Sequence, residues 1–133
     1  MKLVLDSSVL IAASISRAGV CAELLEDVLT YHELVISDFI VDEVAGKLRE
    51  KLKFPEGEIE QLRRLLRRAA ATVEPTEIPA DICRDRNDIP ILGTAVAGRA
   101  EFLITVDKDL LSLGTYKGID IIKPAEFWRR TTG

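Results

Sequence analysis

The chain has 133 residues, of which 47% are apolar and 30% are charged, and its formal net charge is −4. This length suits one domain with a sizeable core, over residues 1–133, and the composition excludes a disordered or membrane-embedded chain. No apolar run approaches the ~20 residues of a membrane span, and the first run ends too early for a signal peptide, so we expect a cytoplasmic protein without membrane contact. The negative charge argues against a bulk electrostatic nucleic-acid binder, but not against a nuclease, because bound ions nearly neutralise an acidic metal site.

The apolar runs predict strands and helices that alternate along the chain. Strands are predicted at residues 2–5, 33–36, 72–73, 102–105 and 119–122. The first helix is predicted to begin at Val9, with Ser7 or Ser8 as its cap, and the third is predicted to follow a cap at Ser37 or Asp38. The other predicted helices cover residues 20–30, 55–71, 88–97 and 125–130. Because the strands are apolar rather than alternating, we predict a central, mostly parallel sheet between two helix layers, a three-layer α/β/α sandwich.

A single histidine and two cysteines limit the chemistry that this chain can perform. Cys21 and Cys83 are far apart and lack metal-type spacing, so both are expected to be reduced thiols. With His32 as the one histidine, catalysis by a histidine pair is impossible within one chain, and a zinc site would lack its usual ligands.

Four acids stand where the predicted elements would bring them together. Asp6 ends the first strand and Asp107 follows the strand 102–105, so both are expected at the carboxyl edge of the sheet. Asp88 has the spacing of an inward-facing residue at the start of its helix, and Glu43 lies at the rim of an apolar helix stripe. Converging carboxylates repel one another unless a cation pairs with them, and hard oxygen ligands suit Mg²⁺ or Mn²⁺. The pattern therefore predicts a metal-dependent nuclease.

Each of these acids could also have a purely structural role. Asp6 and Asp88 could be helix caps, Asp107 could belong to a turn or a cap, and Glu43 could be a solvated helix residue. All four structural roles would have to hold at once, which is a stronger requirement than any one of them alone.

On these residues the sequence resembles a known family, the PIN domain. The matching stretches are VLDSSVL at 4–10, SDFIVDE at 37–43, RDRND at 84–88 and LITVDKDLL at 103–111. Their order and spacing agree over nearly the whole chain, and the nearest likeness is to single-domain PIN proteins of the VapC type. The resemblance implies an α/β/α sandwich, a ribonuclease that uses Mg²⁺ or Mn²⁺, and commonly a homodimer.

The resemblance also assigns roles to individual residues. It implies that the acids that bind metal and act in catalysis are Asp6, Glu43, Asp88 and Asp107. It implies auxiliary roles for Asp85, Asp109, Ser7, Ser8 and Thr105. Many family members have asparagine at the position of Ser8, where a serine can still donate one hydrogen bond.

We therefore predict an endoribonuclease, with the toxin of a toxin–antitoxin pair as one role and an antitoxin protein as its partner. A PIN nuclease in housekeeping RNA processing is an alternative. A PIN-fold module that binds RNA or a protein without cutting is another.

Two further features concern RNA binding and assembly. Arg64 and Arg68 on the helix 55–71 are candidates for binding RNA, and Lys47 and Lys51 are rivals. The alternative is a solvated face in which arginines pair with Glu60. A homodimer could use the apolar stripe at 24–29 or the one at 59–69, unless both stripes are buried in the core.

Overall fold

The structure, a computed structural model, describes residues 1–132 apart from the side chain of Thr132. The strands found there are β1 (Lys2–Leu5), β2 (Glu33–Ile36), β3 (Ala71–Thr72), β4 (Phe102–Ile104), β5 (Thr115–Tyr116) and β6 (Ile119–Ile122). The helices are α1 (Ser7–Ile15), α2 (Val20–Tyr31), α3 (Asp38–Glu50), α4 (Glu56–Ala69), α5 (Asp88–Ala97), α6 (Lys108–Leu111) and α7 (Pro124–Thr132).

The strands form one sheet in the order β3-β2-β1-β4-β6-β5. Every neighbouring pair is parallel except β5 and β6, which are antiparallel. The mostly parallel sheet of an α/β sandwich is therefore confirmed. Leu3 of β1 lies opposite Leu34 of β2 on one side and Phe102 of β4 on the other.

Strand β5 was not predicted, because it is only two residues long and has no apolar run. It pairs with β6 through a two-residue turn at Lys117 and Gly118, whose φ angles are +49° and +81°. Positive φ at both central positions is the type I′ pattern that joins tight hairpins. The Lys–Gly pair was thus the available signal for this strand.

The core lies around β1, β2 and β4 and takes in both apolar stripes that were considered for assembly. Leu24 and Val28 of α2 are buried, as are Ile59 and Leu66 of α4. Leu65 is the large side chain of the 59–69 stripe that stays open to solvent, at 46% exposure. Most of each stripe is therefore used within this chain.

The caps of α1 and α3 position residues near the carboxyl edge. Asp6 caps α1 by accepting a hydrogen bond from the Ser8 backbone, so the prediction of Ser7 or Ser8 as the cap was wrong. The reason is that the helix starts two residues earlier than its apolar run, directly after β1. Ser37 caps α3, as predicted.

Among the described residues, no single helix is long and apolar enough to cross a membrane. Helices α1 and α2 reach that length and apolarity only as a pair, and this pair bends by 109° at its junction.

Candidate metal centre

The candidate site lies where the sheet order changes direction. From β1 the chain passes through α1 and α2 to β2 on one side, whereas β4 lies on the other side of β1. In open α/β sheets such a switch point opens a crevice at the carboxyl ends of the strands. The backbone N–H of Asp6 donates to the Ile104 carbonyl at 3.1 Å, which fixes the ends of β1 and β4 beside each other.

Asp6 is held in one orientation by three hydrogen bonds. Its side chain is only 2% exposed. Oδ1 accepts from the Ser8 backbone N–H and from Ser8 Oγ, the latter at 2.6 Å, while Oδ2 accepts from Thr105 Oγ1. Charge-assisted bonds of this kind are about twice as strong as neutral ones. Ser8 therefore serves as a donor to this acid.

Thr105 links the end of β1 to the turn after β4. Its buried hydroxyl donates to Asp6 and accepts from the Asp107 backbone N–H at 2.9 Å. Asp107 in turn caps α6, since its Oδ1 accepts from the Asp109 backbone N–H at 2.8 Å. The turn that carries Asp107 and Asp109 is thus built on the same network as Asp6.

Three acids converge closely at this edge: Asp88, Asp107 and Asp109. Each of them offers a carboxylate oxygen, and these oxygens lie within 4.8 Å of one another. Asp88, the first residue of α5, is only 3% exposed, and the other two are half-buried. Asp88 Oδ2 is buried and has no hydrogen-bond partner within the described part of the chain.

The electrostatics of this group are unfavourable without a cation. Burial raises the pKa of Asp88 to about 7, with further contributions from the charges of Asp107, Asp85 and Asp6. A buried polar oxygen without a partner is costly, and so is a cluster of like charges. Oxygen donors with excess negative charge are the set that binds hard divalent cations. The residues present therefore fit a metal ion.

Glu43 is not one of the three acids that converge. It is half-buried on α3, and its Oε1 accepts from Ser7 Oγ, so that α3 is tied to the start of α1. The structure thus joins Glu43 to Asp6 through adjacent residues of one turn. Asp109, which was expected only as an auxiliary residue, is a member of the converging group with Asp88 and Asp107.

Asp85, the other expected auxiliary acid, is exposed in the loop before α5. Its Oδ1 accepts from the Asn87 backbone N–H at 2.9 Å, which stabilises the loop, and its charge contributes to the raised pKa of Asp88. Asp85 therefore influences the pKa of Asp88 from outside the converging group.

A buried hydrogen bond between α3 and α5 was not visible in the sequence. The hydroxyls of Ser37 and Thr94 lie 2.8 Å apart, and both side chains are fully buried. These residues are 57 positions apart, so no local pattern could reveal the contact. It couples the helix that carries Glu43 to the helix that carries Asp88.

The arginines of α4 divide into a row that pairs with acids and a row that forms no ion pair among the described residues. Arg63 and Arg67 reach across to acids of α3, with distances of 3.2 Å for Arg63–Asp42 and 3.3 Å for Arg67–Asp38. The pairing with Glu60 that the sequence suggested is formed by Arg63, at 3.5 Å.

The unpaired row contains the two residues that were expected to bind RNA. Arg64 is exposed and donates to the Glu60 carbonyl at 3.3 Å, and Arg68 is also exposed. Of the rival pair on α3, Lys47 is half-buried and Lys51 is exposed at the helix end. RNA binding by either pair stays a prediction.

The loop before α5 brings two further residues to the site that the sequence analysis did not assign. Cys83 is a buried free thiol whose pKa is raised by burial and by the charges of Asp88, Asp107 and Asp85. Arg84 places Nη1 4.0 Å from Asp109 Oδ1. The alternation of basic and acidic residues in RDRND was the signal for this loop.

Comparison with known proteins agrees with this architecture. Residues 2–109 match the family described as the PIN domain. The chain therefore belongs to the PIN domain family. No curated protein matches the sequence.

Two solved structures are similar to this chain over nearly its whole length. The first is VapBC2 from Rickettsia felis bound to a DNA fragment from its promoter, with a TM-score of 0.68 and 17% identity, covering 92% of this chain and 98% of the other. The second is VapBC-1 from nontypeable Haemophilus influenzae, with a TM-score of 0.64 and 19% identity, covering 94% and 99%. At these identities the likeness establishes the fold.

Proposed function

We propose that this protein is a divalent-metal-dependent endoribonuclease of the VapC type. The observation that carries the proposal is the group formed by Asp88, Asp107 and Asp109, which bring one carboxylate oxygen each to within 4.8 Å of the others, while Asp88 Oδ2 is buried without a hydrogen-bond partner among the described residues. Membership of the PIN family and likeness to two VapBC structures support it.

The residues that would hold Mg²⁺ or Mn²⁺ are these three acids, with Asp6 and Glu43 completing the site. A divalent ion would lower the pKa of a coordinated water and polarise a phosphoryl oxygen. The protein keeps the acids in position: Ser8 and Thr105 orient Asp6, and Ser7 orients Glu43. The sequence resemblance implied an auxiliary role for Asp85, and in this proposal its role is to add negative charge near Asp88.

The direct test is incubation of the purified chain with RNA in Mn²⁺, in Mg²⁺ and in EDTA. We expect cleavage only with metal, together with a rise in melting temperature, because an ion that binds only the folded state stabilises it by about 4 kcal/mol at a thousand times its Kd. An unchanged melting temperature in millimolar metal and intact RNA would refute the proposal.

The chemistry of the products is a second expectation. His32 lies at the opposite edge of the sheet, just before β2, where it contacts Phe127 and pairs with Asp27 at 3.7 Å. With no imidazole at the acidic edge among residues 1–132, we expect attack by water in line, which leaves a 5′-phosphate and a 3′-hydroxyl. Mass spectrometry identifies these ends.

A single 2′-deoxy substitution at the cleaved position provides the control for that expectation. Water attack does not need the 2′-hydroxyl, so cleavage should slow only through weaker binding. Internal attack would stop entirely on this substrate and would leave a 2′,3′-cyclic phosphate on ordinary RNA. A cyclic phosphate end would contradict the water mechanism even if the acids bind an ion.

The cellular role is the toxin of a toxin–antitoxin pair in our proposal, with an antitoxin protein as partner. Induced expression of the chain should then arrest growth, and the Asp6→Asn variant should not. RNA cleavage without growth arrest would favour housekeeping RNA processing. A chain that binds RNA but does not cleave it with any divalent metal would be a non-catalytic module.

We also propose that the protein is a homodimer. Leu24 and Val28 of one stripe and Ile59 and Leu66 of the other are buried in this chain, so the dimer face is expected to lie away from these four residues. A two-fold pair would present two sites to one RNA or to two partners. Light scattering at micromolar concentration should give twice the 14.7 kDa of one chain, and a mass near 14.7 kDa would contradict the dimer.

A further inference from the structure

Three basic residues lie on the same two segments that supply the acids of this group. We call Arg84, Arg86 and Lys108 the basic rim. In the sequence they alternate with acids, as Arg84-Asp85-Arg86-Asn87-Asp88 and Asp107-Lys108-Asp109. In the structure Asp88 is buried and Asp107 and Asp109 are half-buried, whereas all three rim residues are exposed. The three acids that converge therefore lie deeper than the bases at this edge of the sheet, whereas Asp85 is exposed like the bases.

The rim cations are not neutralised by strong ion pairs. The side chain of Arg84 is 87% exposed, and its contact with Asp109 is long at 4.0 Å. Within the described residues, Arg86 and Lys108 form no ion pair. By contrast, Arg63 and Arg67 of α4 are held at 3.2 Å and 3.3 Å by acids of α3. Exposed pairs contribute at most about 1 kcal/mol, so Arg84 can leave Asp109 for a better anion.

A negatively charged chain needs such cations if it acts on a polyanion. The net charge is −4, and the acidic group itself repels phosphate. A metal ion would compensate that repulsion only locally, since exposed charges more than about 10 Å apart are largely screened at 0.1 M salt. Phosphates next to the cleaved bond would lie beside the rim, where arginine can bind them in a bidentate manner.

We propose that the basic rim binds the backbone phosphates of single-stranded RNA on the nucleotides that flank the cleaved bond. This inference rests on the proposed ribonuclease function and adds where the substrate is held. It predicts that the rim contributes more to RNA binding than Arg64 and Arg68, which lie on α4.

The test compares charge deletions at the two places. Fluorescence anisotropy of a labelled, mixed-sequence single-stranded RNA is measured in Ca²⁺ with wild type, Arg84→Ala/Arg86→Ala and Arg64→Ala/Arg68→Ala. Between about 50 and 200 mM salt, loss of two phosphate contacts should reduce the slope of log K against log salt by about 1.4 in the rim variant. The α4 variant removes the same charge and should keep nearly the wild-type slope. Arg84→Lys/Arg86→Lys should largely restore the slope, because it restores the charge.

Two measurements distinguish phosphate binding by the rim from a role in the metal centre and from a general effect of charge. The rim variant should keep the wild-type melting temperature and its rise in Mn²⁺, and a lost rise would assign the arginines to the metal centre instead. An unchanged slope in the rim variant, or an equal loss of slope in the rim and α4 variants, would refute phosphate binding by the basic rim. The ribonuclease proposal would still stand if wild type cleaved RNA in Mn²⁺. If wild type neither binds nor cleaves RNA, the rim and the ribonuclease proposal fail together.

Discussion

Replacing Asp6 by asparagine is expected to reduce metal-dependent RNA cleavage by about a thousandfold or more, the scale seen when a central catalytic group is removed. Asparagine keeps the shape of the side chain but loses the charge. It also presents an N–H₂ group to Ser8 or Thr105, which both donate to Asp6 in the native protein. The rise in melting temperature with Mn²⁺ should vanish as well.

Asp38→Asn is the matched control for this variant. It removes one negative charge from an exposed acid at the start of α3, which pairs with Arg67 and forms no hydrogen bond or ion pair with the acidic group within residues 1–132. Its cleavage rate should stay within a few-fold of wild type. Comparable losses in both variants would mean that the charge of Asp6 has no special role, and retained cleavage in Asp6→Asn would place the reactive centre elsewhere.

Replacing Asp88 by asparagine is expected to stabilise the metal-free protein at pH 8. The folded-state pKa of about 7 lies above the ordinary value of 3.8, so the folded state holds this proton more tightly than the unfolded state. The stability that this tighter proton binding contributes is fully present below about pH 4 and is lost as the pH rises to about 7. At pH 8 the charged, buried carboxylate costs on the order of 2–4 kcal/mol, which asparagine avoids.

The pH dependence and the metal response together identify this effect. In EDTA, the difference in melting temperature between Asp88→Asn and wild type should grow by several degrees between pH 5 and pH 8. Mn²⁺ should raise the melting temperature of wild type and leave the variant unchanged. Asp81→Asn, which alters an exposed acid earlier in the same loop, should show neither effect. If Asp88→Asn were less stable than wild type at pH 8, the prediction would be wrong, because the Asp88 charge would then be compensated by its surroundings.

The fold was largely predictable because its strands are short apolar runs that differ from everything around them. Strands β1, β2 and β6 have the bounds that were predicted, and α5 agrees at both ends. Strand β5 was not predicted because two residues are too few to show a periodic pattern. The turn that follows it is the one local signal of its presence in the sequence. The cap of α1 was misplaced because a helix can start before its apolar residues do.

The sequence was enough to predict at which edge of the sheet the candidate site lies, but not how its side chains are arranged there. A parallel sheet is enough to place Asp6 and Asp107 together, since strand ends meet at one edge. Which oxygens converge depends on contacts between distant segments, such as Thr105 with Asp6 and Ser7 with Glu43. For that reason Asp109 was ranked below the acids with which it converges.

The sheet order has a consequence for when this protein becomes active during its synthesis. Thr105 and Asp6 are hydrogen-bonded although 99 residues separate them, and β1 has β4 as a direct neighbour. Ribosomes add about 5–20 residues per second, so the partner of the first strand arrives about 5–20 s later. Until then the nascent chain has neither Asp107 nor the hydroxyl that orients Asp6. The acidic site is therefore incomplete until β4 and the turn that follows it have been synthesised.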